Sequence, residues 1–259
     1  MGERAANCFG KMSRVSASSW GVRYKALSFM YRGTYVATIT YAALVWFRRA
    51  ALHVVRSPLL RTQRPALILL TKAYGSVSTA ALPVLAGVLP ADLEVTRVGR
   101  QEDTRAGLCG KEWRRRKRDV LAEVVAECQA RWASESKGRD LFRFFPVVGA
   151  RLDAKFVEPD HVVSQLLTGH GMFRGRLRDL SLSETGLCHC GHADEYRDHV
   201  LWDCQLYVGE RLALLTRVVK TEAGPVYFGD LVSSEGNFAA FKIFARRWFQ
   251  KRKSLEDLR

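Results

Sequence analysis

Apolar positions recur at spacings of three and four along most of the chain, the period of helices with one buried face. Ser18 and Ser19 offer caps for a first helix that carries Trp20, Tyr24, Leu27, Met30 and Tyr31 on one side. From Tyr35 to Phe47 the chain is β-branched and aromatic in its first half, and periodicity there fits a buried helix or a strand. Ser57-Pro58 predicts a helix start, with Leu59, Leu60, Gln63, Leu67 and Leu70 on one side. Pro65 falls inside that pattern and is expected to kink it or end its first half, because it lacks an N–H and its ring crowds the preceding turn. Ser78 caps a short helix through Leu85, Gly87 closes it, and Pro90 opens the next.

The polar, glycine-bearing stretch from Gly99 to Gly110 reads as a boundary. Lys111 to Ser134 then predicts a long amphipathic helix with Trp113, Val120, Leu121, Val124, Val125, Cys128 and Trp132 as its stripe. Ser136-Lys137-Gly138-Arg139 is a turn, followed by an apolar extended piece with Phe142, Phe144, Phe145 and Pro146. Val162 to Leu167 predicts a helix closed by Thr168-Gly169-His170-Gly171. Leu206 to Lys220 predicts another, on Leu212, Leu215, Val218 and Val219. A last helix from about Phe238 places Phe241, Phe244, Ala245, Trp248 and Phe249 on one face, with Lys242, Arg246 and Arg247 opposite. The fold class is therefore mainly α.

Composition narrows the class. The 259 residues are 47% hydrophobic and 26% charged, enough to bury a core and unlike a disordered chain. Six cysteines are too few for a disulfide-stapled secreted scaffold. The opening residues are polar and basic, with no apolar signal-peptide core. The apolar stretch Gly33 to Phe47 is 15 residues, short of the ~20 that span a bilayer. The uncharged run Ala73 to Ala91 is broken by Gly75, Pro83, Gly87 and Pro90. A soluble, reducing, intracellular setting, nucleus or cytoplasm, fits these features.

Charge changes the picture most. The net +15 is uneven: from Arg4 to Ala91 there is no acid at all. Residues 1–91, 111–118 and 242–253 carry +11, +5 and +6, which leaves the rest of the chain at −7. One-sign fields repel the compact state, so three such blocks point to a polyanion, and nucleic acid is the common one. The contact candidates are Arg23, Lys25, Arg32, Arg48, Arg49, Arg61 and Arg64, then Lys111, Arg114, Arg115, Arg116, Lys117 and Arg118, then Lys242, Arg246 and Arg247. The bland alternative is a basic surface kept for solubility. In the long helix the arginines crowd the N-terminal turns, where the dipole disfavours cations.

Three of the six cysteines fall in the string CHCGHADEYRDHVLWDC, where Cys188, Cys190, His199 and Cys204 give C-x-C-x8-H-x4-C. Zinc takes four such ligands as a tetrahedron. The cysteine pair sits on a turn that Gly191 lets fold back, and His199 and Cys204 fit the start of a short helix and the position just beyond its first turn. One structural zinc here would add ~10–16 kcal/mol of apparent binding free energy to a small core. His189 and His192 compete for the fourth position. The alternative is free buried thiols, although Cys188 and Cys190 stand in a polar loop. Cys8, Cys109 and Cys128 read as plain thiols.

No P-loop, H-E-x-x-H, G-x-S-x-G or adjacent aspartate pair is present. His170, between two glycines, has no base or nucleophile beside it in sequence. Residues alone thus lead to a helical nucleic-acid-binding protein with a zinc knuckle, with no small-molecule substrate and no membrane partner. A basic amphipathic C-terminal helix can also serve a membrane or partner helix, but its aromatic face suits core packing.

Several ordered strings resemble the C-terminal part of LINE-type (non-long-terminal-repeat) retrotransposon reverse transcriptases, especially the arthropod elements that insert site-specifically. They are Trp20-Gly21 with Tyr24-Lys25-Ala26-Leu27, Tyr31-Arg32-Gly33 and Ile39-Thr40-Tyr41-Ala42-Ala43 with Trp46. Thr62-Gln63-Arg64, Ala73-Tyr74, Ser78-Thr79-Ala80-Ala81-Leu82 and Leu85-Ala86-Gly87-Val88-Leu89-Pro90 with Asp92-Leu93 continue them. Ser136-Lys137-Gly138-Arg139, Gln165-Leu166-Leu167-Thr168-Gly169-His170-Gly171-Met172-Phe173 and the cysteine–histidine cluster follow. Coverage runs from about residue 10 to about 215, and the order is more specific than any one piece.

The resemblance implies a parent RNA-directed DNA polymerase with a linked endonuclease, whose palm aspartates and Mg would lie upstream of Met1. It implies that this chain alone is inactive as a polymerase. It also implies a helical thumb-like bundle over residues 1–105, a connector helix and extended segment over 106–150, a zinc-knuckle region over 151–230 and a basic amphipathic helix over 231–259. Its partners would be RNA and DNA, as template–primer duplex and target DNA. Pro65 and Pro83 depart from the family, which folds those stretches as helix. The reading from a different class is a stand-alone zinc-containing nucleic-acid-binding or regulatory protein without enzymatic activity.

Overall fold

The computed structural model describes residues 21–257. The Ser18 and Ser19 caps, Trp20 and Cys8 lie outside the described residues. The described chain is mainly helical and contains no strand; an antiparallel bridge joins Leu187 and Asp194. No described helix is long and apolar enough to cross a membrane.

The first helix, α1, is Tyr24–Tyr31, with Arg23 at its N-cap and no side-chain cap. It runs on through a π-helical turn, Arg32–Val36, into α2, Ala37–Ile39. The ambiguous stretch is thus helical, and Leu27, Tyr31, Tyr35 and Ile39 form one buried stripe at spacings of four. In the widened turn Thr34 Oγ1 donates to the Met30 carbonyl and Thr38 Oγ1 to the Thr34 carbonyl, each at 2.7 Å. After a left-handed Ala42, α3 (Ala43–Trp46) and a 3₁₀ turn (Phe47–Arg49) follow.

The helix boundaries expected at Pro58 and Pro65 are overturned. Helix α4 begins at His53, before Ser57-Pro58, and continues past Pro65 to Thr71. Burial explains the persistence: Leu59, Gln63, Ala66, Leu67 and Leu70 sit on the inward face, while Pro65 is exposed. Packing of that face outweighs the one ladder bond that proline removes. Gln63 adds a tertiary anchor. It donates to Tyr31 Oη (2.8 Å) and the Leu89 carbonyl (3.0 Å), and accepts from the Ala91 N–H (2.9 Å).

Ser78 Oγ accepts from the Ala81 N–H at 3.2 Å and opens α5, Ala81–Ala86. Pro83 sits in its first turn, where no helical donor is missed. Gly87 ends it at φ +60, and a Cβ there would lie 2.6 Å from the Arg151 guanidinium. Helix α6, Ala91–Asp103, then absorbs the front of the expected boundary, because Gly99 lets Phe47 pack against the helix backbone. Only residues 104–109 remain as a loop.

Helix α7 is Gly110–Ser134. Its second half buries Val120, Val124, Cys128 and Trp132, whereas Leu121 is exposed and Trp113 half-buried. A capping box joins Cys109 and Glu112 at its start. The expected extended piece is instead α8 (Arg139–Phe142), a short break and α9 (Val148–Asp153). Helix α10, His161–Thr168, is capped by Asp160 and closed by a left-handed Gly169. After α11 (Arg174–Asp179) comes the cysteine–histidine region. Helix α12 is only Val208–Leu215 and buries Leu214, while Leu212 and Val219 face out. Helix α13, Glu235–Asp257, buries Phe241, Phe244, Ala245 and Trp248. One connected core runs from Leu27 to Trp248.

Candidate metal centre and basic surface

The knuckle starts from local backbone chemistry. The Leu187–Asp194 bridge brings the chain back on itself, the Cys188 N–H donates to the Ala193 carbonyl at 2.8 Å, and Gly191 takes φ +80. Further on, the π-helical turn His199–Asp203 is closed by the Cys204 N–H, which donates to the His199 carbonyl at 2.7 Å. One donor atom from each of Cys188, Cys190, His199 and Cys204 lies within 4.8 Å of the other three. Cys188 Sγ is 3.7 Å from Cys204 Sγ, and Cys190 Sγ is 3.3 Å from His199 Nε2. Tetrahedral zinc with its usual bond lengths puts ligands ~3.5–3.8 Å apart. The donor set and its spacing therefore fit zinc.

The electrostatics differ among the four donors. Burial raises the Cys188 and Cys204 thiols, which favours the neutral form until a cation arrives. Burial also acts on Cys190, but N–H donors from His192 and Ala193 and the two neighbouring thiols hold it below the usual thiol range. Burial, with Arg211 and His192 nearby, lowers His199 despite Asp203, which keeps the imidazole neutral as a ligand requires. His189 points elsewhere, with Nε2 3.4 Å from an Arg174 nitrogen, and the exposed His192 touches Cys190 through its backbone. Neither histidine belongs to the cluster. The polar-loop reading of Cys188 needs correcting, since Cys188 and Cys204 are part of the main core.

Two buried charges, which the sequence reading missed, fasten this unit to the fold. Glu195 accepts from Arg252 Nε of α13 and from the Arg174 N–H, both at 3.2 Å. Arg197 pairs with Asp140 (3.0 Å) and Asp198 (2.7 Å) and lies over the rings of Phe144 and Phe228. Arg252 and Asp140 are remote from them in sequence, and only the fold brings them together. Arg252 even lay inside a basic block.

Of the remaining expected thiols, Cys109 is exposed and Cys128 is buried, its thiol pushed up to about 11 by that burial. His170 Nδ1 lies 3.0 Å from Ser76 Oγ.

The basic candidates separate into two groups. Lys25 pairs with Glu158 (3.1 Å), Arg48 with Asp103 (3.3 Å), Arg116 with Glu123 (3.0 Å) and Arg246 with Asp160 (3.9 Å). Arg64 turns inward to Thr79 Oγ1 (2.9 Å) and the Gly75 carbonyl (2.5 Å). Lys117 lies over Trp113 and Lys242 over Phe238. Arg23, Arg32, Arg49, Arg61, Lys111, Arg114, Arg115, Arg118 and Arg247 are exposed and form no ion pair with a described residue. The fold also brings the blocks together. A cleft of about 500 Å³ joins Arg23 and Lys72 to Lys242 and Arg246, and one of about 650 Å³ joins Arg32 to Arg118.

A helical body carrying a Cys3His cluster and several cations with no ion pair to a described residue defines the class, and sequence relatives define the family. The chain is 34% identical over 271 residues to a Pol polyprotein of type-1 retrotransposable element R1 4 from Nasonia vitripennis, covering 98% of this chain and 68% of the relative. It is 31% identical over 263 residues to an R1 Pol polyprotein from Bradysia coprophila, covering 95% and 26%. It is 29% identical over 269 residues to the putative 115 kDa protein of element R1DM from Drosophila melanogaster, covering 98% and 26%. The chain belongs to the R1 retrotransposon Pol polyprotein family. It spans about two thirds of the first relative and about a quarter of the other two. No family model matches, and no solved structure matches.

Proposed function

We propose that this chain is the nucleic-acid-binding C-terminal segment of an R1-type Pol polyprotein. It grips a template–primer duplex and target DNA through its exposed cations. The observation that carries this reading is the set of exposed cations that form no ion pair with a described residue, drawn from all three basic blocks. Such charges cost self-repulsion in the free protein, and phosphates relieve it. The names of the relatives support a retrotransposon setting.

Under this reading Cys188, Cys190, His199 and Cys204 hold one structural zinc, which cross-links the knuckle when bound. The four-part division into thumb-like bundle, connector, knuckle region and basic helix belongs to the same proposal. RNA-directed DNA polymerase and endonuclease chemistry, with its Mg, is assigned to other parts of the polyprotein. The site of action is the nucleus or cytoplasm, where nucleic acid is available.

The test is the salt dependence of binding to a fluorescein-labelled RNA–DNA duplex, followed by anisotropy. Each phosphate contact should add about −0.9 to the slope of log K against log salt, so several contacts give a steep line. A flat line would remove the basic blocks as the contact surface.

A further inference from the structure

The cleft of about 650 Å³ does more than join two basic blocks. Among the segments that wall it are the turn after α1 with Arg32, α7 with Arg118, Leu121 and Val125, and the end of α9 with Leu152 and the neighbouring Lys155; the 87–89 loop and α6 complete it. Its acids are Glu94, which Arg97 engages at 3.0 and 2.5 Å, and Asp153. Arg32, Arg118 and Lys155 make no ion pair with a described residue. Lys155 is exposed and its ammonium donates to the Leu152 carbonyl; partial burial and the charges of Arg32 and Arg151 hold it below the usual lysine range, against the pull of Asp153. Its inner wall is apolar, with Leu121 open to solvent even though it belongs to the α7 stripe.

We propose that this cleft binds one nucleotide of a single-stranded nucleic acid, with Arg32, Arg118 and Lys155 on the phosphate and Leu121, Val125 and Leu152 against the base. The volume suits a nucleotide-sized ligand, and an unpaired strand can offer a free base to the apolar wall, which a stacked and paired duplex does not. Cations supply affinity without sequence preference, and an apolar wall accepts any base face. This inference rests on the nucleic-acid-binding reading above and narrows it to a strand type and a place.

The experiment uses the whole chain and a labelled 20-residue oligothymidylate, measured by anisotropy over a salt series. The cleft variant is Arg32→Gln/Lys155→Gln, and the charge-matched control is Lys137→Gln/Arg217→Gln, at exposed positions outside the cleft. Far-UV circular dichroism checks that each is folded. The cleft variant should bind the strand ~10-fold more weakly, with the salt slope reduced by about 1.4, and the control should lie within ~2-fold of wild type. Thymidine monophosphate should compete only weakly. Equal losses in both variants, an equal loss on duplex and single strand, or monophosphate binding as tight as the oligomer would overturn the proposal. Duplex binding without single-strand binding would overturn it while leaving the broader function standing. No binding to any nucleic acid would overturn both.

Discussion

The helical body from Tyr24 to Asp103 and the knuckle from Gly186 to Cys204 solve the same problem with different physics. The body is held by distributed burial: Leu27, Tyr35, Ile39, Leu67, Leu70, Leu82 and Leu85 are each at most 1% exposed. The knuckle buries little beyond Cys188, Val200, Leu201 and Cys204, and two of those four are metal-ligand candidates. Its other buried groups are charges, Glu195 and Arg197, which need partners from distant segments. The body should therefore tolerate loss of any one contact, while the knuckle depends on a few strong ones.

Chelation should split the two regions most clearly. A structural zinc contributes ~10–16 kcal/mol of apparent binding, far more than the knuckle can replace by packing. With chelator, the Cys188, Gly191 and Cys204 amides, which now bond to Ala193, Cys188 and His199 carbonyls, should exchange with solvent at least ~100-fold faster. Amides of α4 and α6 should change by less than ~2-fold; equal acceleration in both regions would dissolve the distinction. Next in size is Arg252→Met, which strands the buried Glu195 carboxylate and should cost ~3–5 kcal/mol in denaturant unfolding. Glu195→Gln with Arg252→Met should recover most of that; if the double variant is no better, the pair is not the clamp between knuckle and α13.

Leu82→Ala leaves a cavity in the body and should cost ~2–5 kcal/mol, with zinc content unchanged. Zinc lost along with stability would mean that the two regions are not separately held. The smallest effect should come from Asp160→Ala. It removes the cap that accepts the Val162 and Val163 N–H groups, at ~1 kcal/mol by thermal unfolding. A cost near zero would mean that α10 is held by packing alone.

What the sequence made legible follows from range. Caps and periods are local, so the Ser78 start, the Gly87 stop, the long helix from residue 110 and the last helix could be read directly. The four donors within 17 residues were legible for the same reason, since ligand spacing survives without knowing the fold. Pro65 misled because its penalty is local while its compensation, burial of Leu59, Gln63 and Leu67 against other elements, is not. Leu212 was placed inside and is exposed, because a short helix on the surface gives two similar apolar faces and only α13 decides that Leu214 is covered. Arg151, Arg197 and Arg252 were illegible for the same cause: each is anchored by a partner remote in sequence, Leu85, Asp140 and Glu195 in turn.

The contrast between the regions rests on the metal, so metal content tests it most directly. Purified wild-type chain should carry about one zinc per molecule by mass spectrometry of the element, and Cys190→Ser should carry little or none. Equal zinc in both, or none in either after growth with zinc, would contradict the assignment of Cys188, Cys190, His199 and Cys204 as its ligands.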